Sequence, residues 1–119
     1  DQIGVSKLKI LGGEPTDLDE IGAIISALNN YKMDFVVTTN GMNSARIIAI
    51  AEEIGFKKNS GLFFSMDFLE PNEENTIGGC SMAKTRAAIK LVPLLVDLVP
   101  LLGVNTVVHA RNLDELPKI

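Results

Sequence analysis

Two glycines and a glutamate, Gly12, Gly13 and Glu14, separate an apolar run from a proline in LKILGGEPTDLDE, residues 8–20. Glycine has no Cβ, so the backbone there can bend sharply and a ligand can come close to its amides and carbonyls. Glu14 then projects an acceptor-only carboxylate from the hinge, a group suited to an ammonium or a hydroxyl. A plain strand-to-helix turn, with Glu14 favouring the positive end of the helix dipole, uses the same residues. A P-loop is excluded, because no Gly-Lys-Ser/Thr follows.

Further along, VVTTNG ends in Asn40 and Gly41, either a tight turn or a polar contribution to a site. Ser65 and Asp67 lie two apart in a strand-like run and share a face opposite Phe64 and Met66. A hydroxyl and a carboxylate so placed can grip a ribose diol or another polar ligand; capping of a strand end is the alternative. Lys84 and Arg86 stand early in a helical region, as solvated charges or as cations over a site. His109 is the only histidine, so a histidine-based metal site is unavailable and a structural, hydrogen-bonding role is the favoured reading. Cys80 is the only cysteine, read as a small packed or loop residue; neither a disulfide framework nor a thiolate metal site can be built from it alone.

Four strand-like runs would position these groups: 7–11, 34–39, 62–68 and 105–111, rich in β-branched and aromatic residues. Helical patterns lie between them. The first carries Leu18, Ile21, Ile25 and Leu28, with Asp17 and Glu20 spaced as a capping box. The second starts near Asn43 or Ser44, carries Ile47, Ile50, Ala51 and Ile54, and stops at Gly55. In the third region Met82, Arg86 and Ile89 mark one helix, Pro93 is placed to start another, and Gly103 ends it. Alternating strands and helices predict an α/β fold with a parallel sheet, either a doubly wound sheet or an arc of a (β/α) TIM-type barrel. In both, ligands gather at the carboxyl ends of the strands, where GGEP, TTNG, SMD and HARN all stand.

The chain has 119 residues, enough for one core and read as a single segment over 1–119. A net charge of -4 with scattered Lys and Arg argues against a nucleic-acid surface. The apolar run 91–103 is too short for a membrane span and is read as buried helix. One cysteine and no apolar leader fit a reducing, cytoplasmic setting. The chain opens just before a strand and closes at ELPKI, which reads as a piece of something longer. Such an arc would leave both sheet edges bare and open to self-association.

With these elements in place, the sequence resembles the radical S-adenosylmethionine (radical SAM) enzymes. LKILGGEPTDLDE is similar to their Gly-Gly-Glu segment, VVTTNG to the following strand, FFSMDFLEPNEENTIGGCSMAKTRAAIKL to the next strand and helix, and NTVVHARNLDEL to the one after. The resemblance implies the second to fifth strands of a partial (β/α)6 barrel that binds S-adenosylmethionine beside a [4Fe-4S] cluster, whose parent generates a deoxyadenosyl radical. It assigns Gly12, Gly13 and Glu14 to the cofactor's amino group and Ser65 and Asp67 to its ribose. Lys84 and Arg86 become candidates for its carboxylate, and Asn40 and Asn112 further candidate contacts. The Cys-x3-Cys-x2-Cys loop that holds the family's cluster has no counterpart here, so the cluster ligands are expected outside this chain. The glycine-rich pattern that contacts adenine in many members is also missing from the fifth strand. Two rivals remain: a non-catalytic nucleotide- or nucleoside-binding α/β module, and a degenerate barrel serving as an interaction domain. The substrate cannot be read from these residues.

Overall fold

In DFVVTT every second side chain must find a dry partner, and the computed structural model, which describes residues 4–31, 33–66, 82–108, 110, 112–114 and 116–118, shows where. Strand β2 (Asp34–Thr39) turns Phe35 and Val37 into a core with no exposure, against Ile21 and Ile25 of helix α1 (Ile21–Asn30). Strand β3 (Gly61–Ser65) adds Leu62 and Phe64 to that core. Helix α2 (Ser44–Ala49), extended by a π-helical stretch at Ile50–Ile54, contributes Ile47, Ile50 and Ala51, and helix α3 (Met82–Leu95) contributes Ala88, Leu91 and Leu95. Each helix presents apolar residues three or four apart, the spacing that makes one buried stripe.

Strand β1 (Lys7–Ile10) and strand β4 (Leu101–Asn105) complete one sheet in the order β1-β2-β3-β4, with every pair parallel. Spatial order equals chain order, so right-handed crossovers carry every helix to the same face. A doubly wound sheet needs a reversal of strand order, and none occurs among these strands. The open sheet with one helical layer is the arrangement an arc of a (β/α) barrel requires. Its other face bears no described helix and presents Lys9, Val36, Thr38, Phe63, Ser65, Gly103 and Asn105.

Three boundaries correct the sequence expectation. Helix α1 starts at Ile21 rather than Asp17: Pro15–Asp17 form a short 3-10 turn, Leu18 leaves it extended at ψ 128°, and Glu20 makes no side-chain cap. The capping box does not form, because Glu14 has already capped the 3-10 turn through the Thr16 amide. Helix α3 runs through Pro93 without a restart, the proline falling in its last turn. There the lost hydrogen bond and ring clash disturb only the end of the helix.

The fourth strand is Leu101–Asn105, not 105–111, and Gly103 lies within it instead of ending a helix. Two glycines explain this pairing. A Cβ on Gly61 would fall 1.8 Å from the Leu101 carbonyl oxygen, and a Cβ on Gly103 would meet the Phe63 ring at 3.0 Å. The apolar residues read as buried helix thus end α3, turn through 96–100, and enter the sheet.

Candidate functional site at the carboxyl edge of the sheet

The chain leaves β1 through Gly12 (φ 98°) and Gly13 (φ 35°), conformations that side chains rarely adopt. A Cβ at either glycine would meet nothing within 4 Å, so this backbone borders open space. Glu14 follows, and its carboxylate is turned inward. Oε1 accepts from the Thr16 amide (3.1 Å), the Thr16 hydroxyl (2.6 Å) and the Thr39 hydroxyl (2.6 Å). Oε2 accepts from the Asn40 amide at 2.7 Å. Thr16 and Thr39 are each 1% exposed. The carboxylate therefore fastens the end of β1 to the end of β2.

Burial works to raise the Glu14 pKa, but the bonds from the Thr16 and Thr39 hydroxyls and the Asn40 and Thr16 amides together hold it below the ordinary carboxylate value. The group is an anion at neutral pH. Thr39 Oγ1 also accepts from the Gly41 amide at 3.1 Å, and Asn40 Oδ1 accepts from the Met42 amide at 2.8 Å. Gly41 (φ 75°) lies so close to the core that a Cβ would meet the Phe64 ring at 3.2 Å. TTNG is thus a tight loop pressed onto the core and pinned by Glu14.

These groups border a cleft of about 330 Å³ at the carboxyl edge of the strands, within the range of small-molecule sites. Gly12, Gly13, Glu14 and Asn40 line one side, and Ser65, Lys84, Asn105 and Val107 line the other. Thr38 and Thr39 lie between them. Of the residues singled out by sequence, Gly12, Gly13, Glu14, Asn40, Ser65 and Lys84 come together here. Arg86 lies elsewhere, in a hollow with Met42, Ser44 and Lys90. Two positions apart on a helix is about 200°, so Lys84 and Arg86 point to different sides.

Asn112 is buried, and its Nδ2 donates to the Val107 carbonyl at 2.8 Å; it closes a turn and is not among the cleft's lining residues. Asp67, Cys80 and His109 lie outside the described residues. Sequence reasoning passed over Thr16, Thr38, Thr39 and Asn105. The threonines stood in view in GGEPT and TTNG, and Asn105 was hidden by the misplaced fourth strand.

Among the described residues no three His, Cys, Asp or Glu side chains are grouped to hold a metal ion, and the sequence has one cysteine. A [4Fe-4S] cluster, which takes three or four thiolates, does not fit this chain. S-adenosylmethionine fits better: open glycine backbone, a carboxylate oxygen with one hydrogen bond, a lysine and several neutral polar groups share one cleft.

Fold and site together define an α/β segment with a polar cleft at the carboxyl ends of a parallel sheet. No family model and no solved structure matches the chain. Curated relatives do. A probable GTP 3',8-cyclase from Pyrococcus horikoshii is 30% identical over 110 residues, 87% of this chain and 34% of the relative. The GTP 3',8-cyclase of Photorhabdus laumondii is 35% identical over 79 residues, 65% of this chain and 23% of the relative. A mitochondrial GTP 3',8-cyclase from Arabidopsis thaliana is 37% identical over 71 residues, 57% of this chain and 17% of the relative. These relatives are radical SAM enzymes, and the chain is similar to them over most of its own length. It spans about a third of the length of the relatives it matches most fully.

Proposed function

We propose that the chain supplies the S-adenosylmethionine-binding cleft of a radical SAM enzyme. The observation that carries this reading is the pairing of open, positive-φ backbone at Gly12 and Gly13 with the ionised Glu14 carboxylate at the mouth of the cleft. Glu14 Oε2 accepts one hydrogen bond and keeps acceptor capacity for an ammonium. The neighbouring glycine carbonyls offer further acceptors. Lys84 brings a cation to the same cleft for a carboxylate, and Ser65 brings a hydroxyl for a ribose. In the family, the cofactor supplies a deoxyadenosyl radical when reduced by an adjoining cluster, whose thiolates this chain does not contain.

For the whole protein the proposed reaction follows the relatives named above, with GTP as substrate. Lys7 and Lys9 support it: with Val36 and Phe63 they line a second hollow, of about 260 Å³, beside the sheet. Two cations and an aromatic ring suit an anionic nucleotide.

Equilibrium dialysis of this chain against S-adenosylmethionine tests the cofactor reading. A few hydrogen bonds at about 1 kcal/mol net each give affinity on the order of millimolar. Saturable binding, weakened about threefold to tenfold by Lys84→Gln, is expected. No binding, or binding indifferent to Lys84, would overturn the assignment.

A further inference from the structure

We infer that Thr39, with Thr16 beside it, is a positioning residue for a ligand ammonium: the two hydroxyls occupy one oxygen of Glu14 and leave the other for the cation. The inference rests on the S-adenosylmethionine reading above. Oε1 takes three donors, the Thr16 amide at 3.1 Å and the Thr16 and Thr39 hydroxyls at 2.6 Å each. Oε2 takes one, the Asn40 amide at 2.7 Å. An ionised carboxylate only accepts, so each threonine must spend its single proton on Oε1. The 3.5 Å approach of the two hydroxyls to each other therefore carries no proton between them.

Thr39 is fixed from its own side as well. Its oxygen accepts from the Gly41 amide at 3.1 Å, and Gly41 is pressed onto the core, where an added Cβ would meet the Phe64 ring at 3.2 Å. A β-branched side chain has few χ1 positions, and at 1% exposure this one has no solvent to turn toward. Contacts thus run from Phe64 through Gly41 and Thr39 to Oε1, and they decide which oxygen of Glu14 keeps acceptor capacity. A carboxylate free to rotate loses that freedom when it captures a cation; this one has already lost it on folding. Recognition of an ammonium beside the Gly12–Gly13 turn then depends on two buried hydroxyls behind the carboxylate that receives it.

The test compares S-adenosylhomocysteine with its analogue lacking the α-amino group, each titrated into the isotope-labelled chain and followed by amide chemical shifts. The native chain should favour the amino-bearing compound by about tenfold, the value of one hydrogen bond to a charged group. Thr39→Val, which keeps the shape and loses the hydroxyl, should bring that preference to within about twofold and leave affinity for the deaminated analogue unchanged. Thr39→Ser, which restores the hydroxyl, should keep most of the preference. General damage to the cleft would weaken both compounds together and leave their ratio as it was. Thr16→Val removes the other hydroxyl without touching the Gly41 loop; it should lower the ratio too, and it decides the matter if Thr39→Val does not fold. A ratio unchanged in the valine variants, no rescue by serine, or equal binding of the two compounds by the native chain overturns this inference alone. Failure to bind either compound overturns the S-adenosylmethionine reading and this inference with it.

Discussion

Glu14 has two duties that pull in different directions. Four hydrogen bonds spend most of its carboxylate on the protein, and Oε2, which accepts one of them, keeps acceptor capacity. Replacing it with alanine strands two buried threonine hydroxyls and two backbone amides, so Glu14→Ala should cost about 2–3 kcal/mol by urea unfolding at neutral pH. Lost ligand binding in that variant would therefore mix two effects, so its stability must be measured beside its binding. The pH dependence has a definite sign. A folded pKa held below the ordinary value of 4.5 contributes stability above that value and loses it as pH falls through the lower folded one. Glu14→Gln should flatten this part of the stability profile between neutral and acid pH, and an unchanged profile would show that the carboxylate carries none of it. That Glu14 matters was legible in the sequence, because a charge between two glycines and a proline needs a reason. Its partner Thr39, 25 residues away, was not, since only the parallel pairing of β1 with β2 brings the two together.

Glycines decide the elements around the site, each by a different physical route. At Gly61 the obstacle is space, because a Cβ would collide with the β4 backbone 1.8 Å away. Gly61→Ala should force β3 and β4 apart and cost several kcal/mol, about 3 or more, read as a lowered unfolding midpoint. At Gly12 the space is open and only the φ of 98° resists a side chain, so Gly12→Ala should cost about 1–2 kcal/mol. Equal costs at the two positions would contradict this packing of β3 on β4. The strands DFVVTT and GLFFS were visible from composition, and α2 stopped at Gly55 as its sequence indicates. The fourth strand was not visible, because LVPLLVDLVPLLGVN is apolar on both sides of Asp97, and the short turn through Asp97 and Pro100 reads as readily as an exposed position and a kink within one buried helix. Pairing with β3 fixes that boundary, and local preference carries no trace of it.

At the scale of the whole fold, the described residues form four parallel strands in chain order with one helical layer, an open sheet compatible with a partial barrel. No described helix is long and apolar enough to cross a membrane. Neither outer edge pairs with another described strand, and the two edges differ. Strand β1 carries Lys7 and Lys9, whereas LLGVN of β4 carries no charge. Edge charges discourage pairing, so the chain should associate with rising concentration in sedimentation through the uncharged β4 edge, and Val104→Lys should suppress that association; a chain that stays monomeric would contradict this. A single cysteine cannot ligate a cluster with three thiolates, and this chain should remain colourless after anaerobic reconstitution with iron and sulfide. The central claim, that the carboxyl-edge cleft receives S-adenosylmethionine, is tested most directly by titrating the cofactor into the isotope-labelled chain and mapping amide shifts. Saturable shifts concentrated at Gly12, Gly13, Asn40, Ser65, Lys84 and Asn105 are the expected result; shifts confined to the hollow around Arg86, or none at millimolar cofactor, would contradict it.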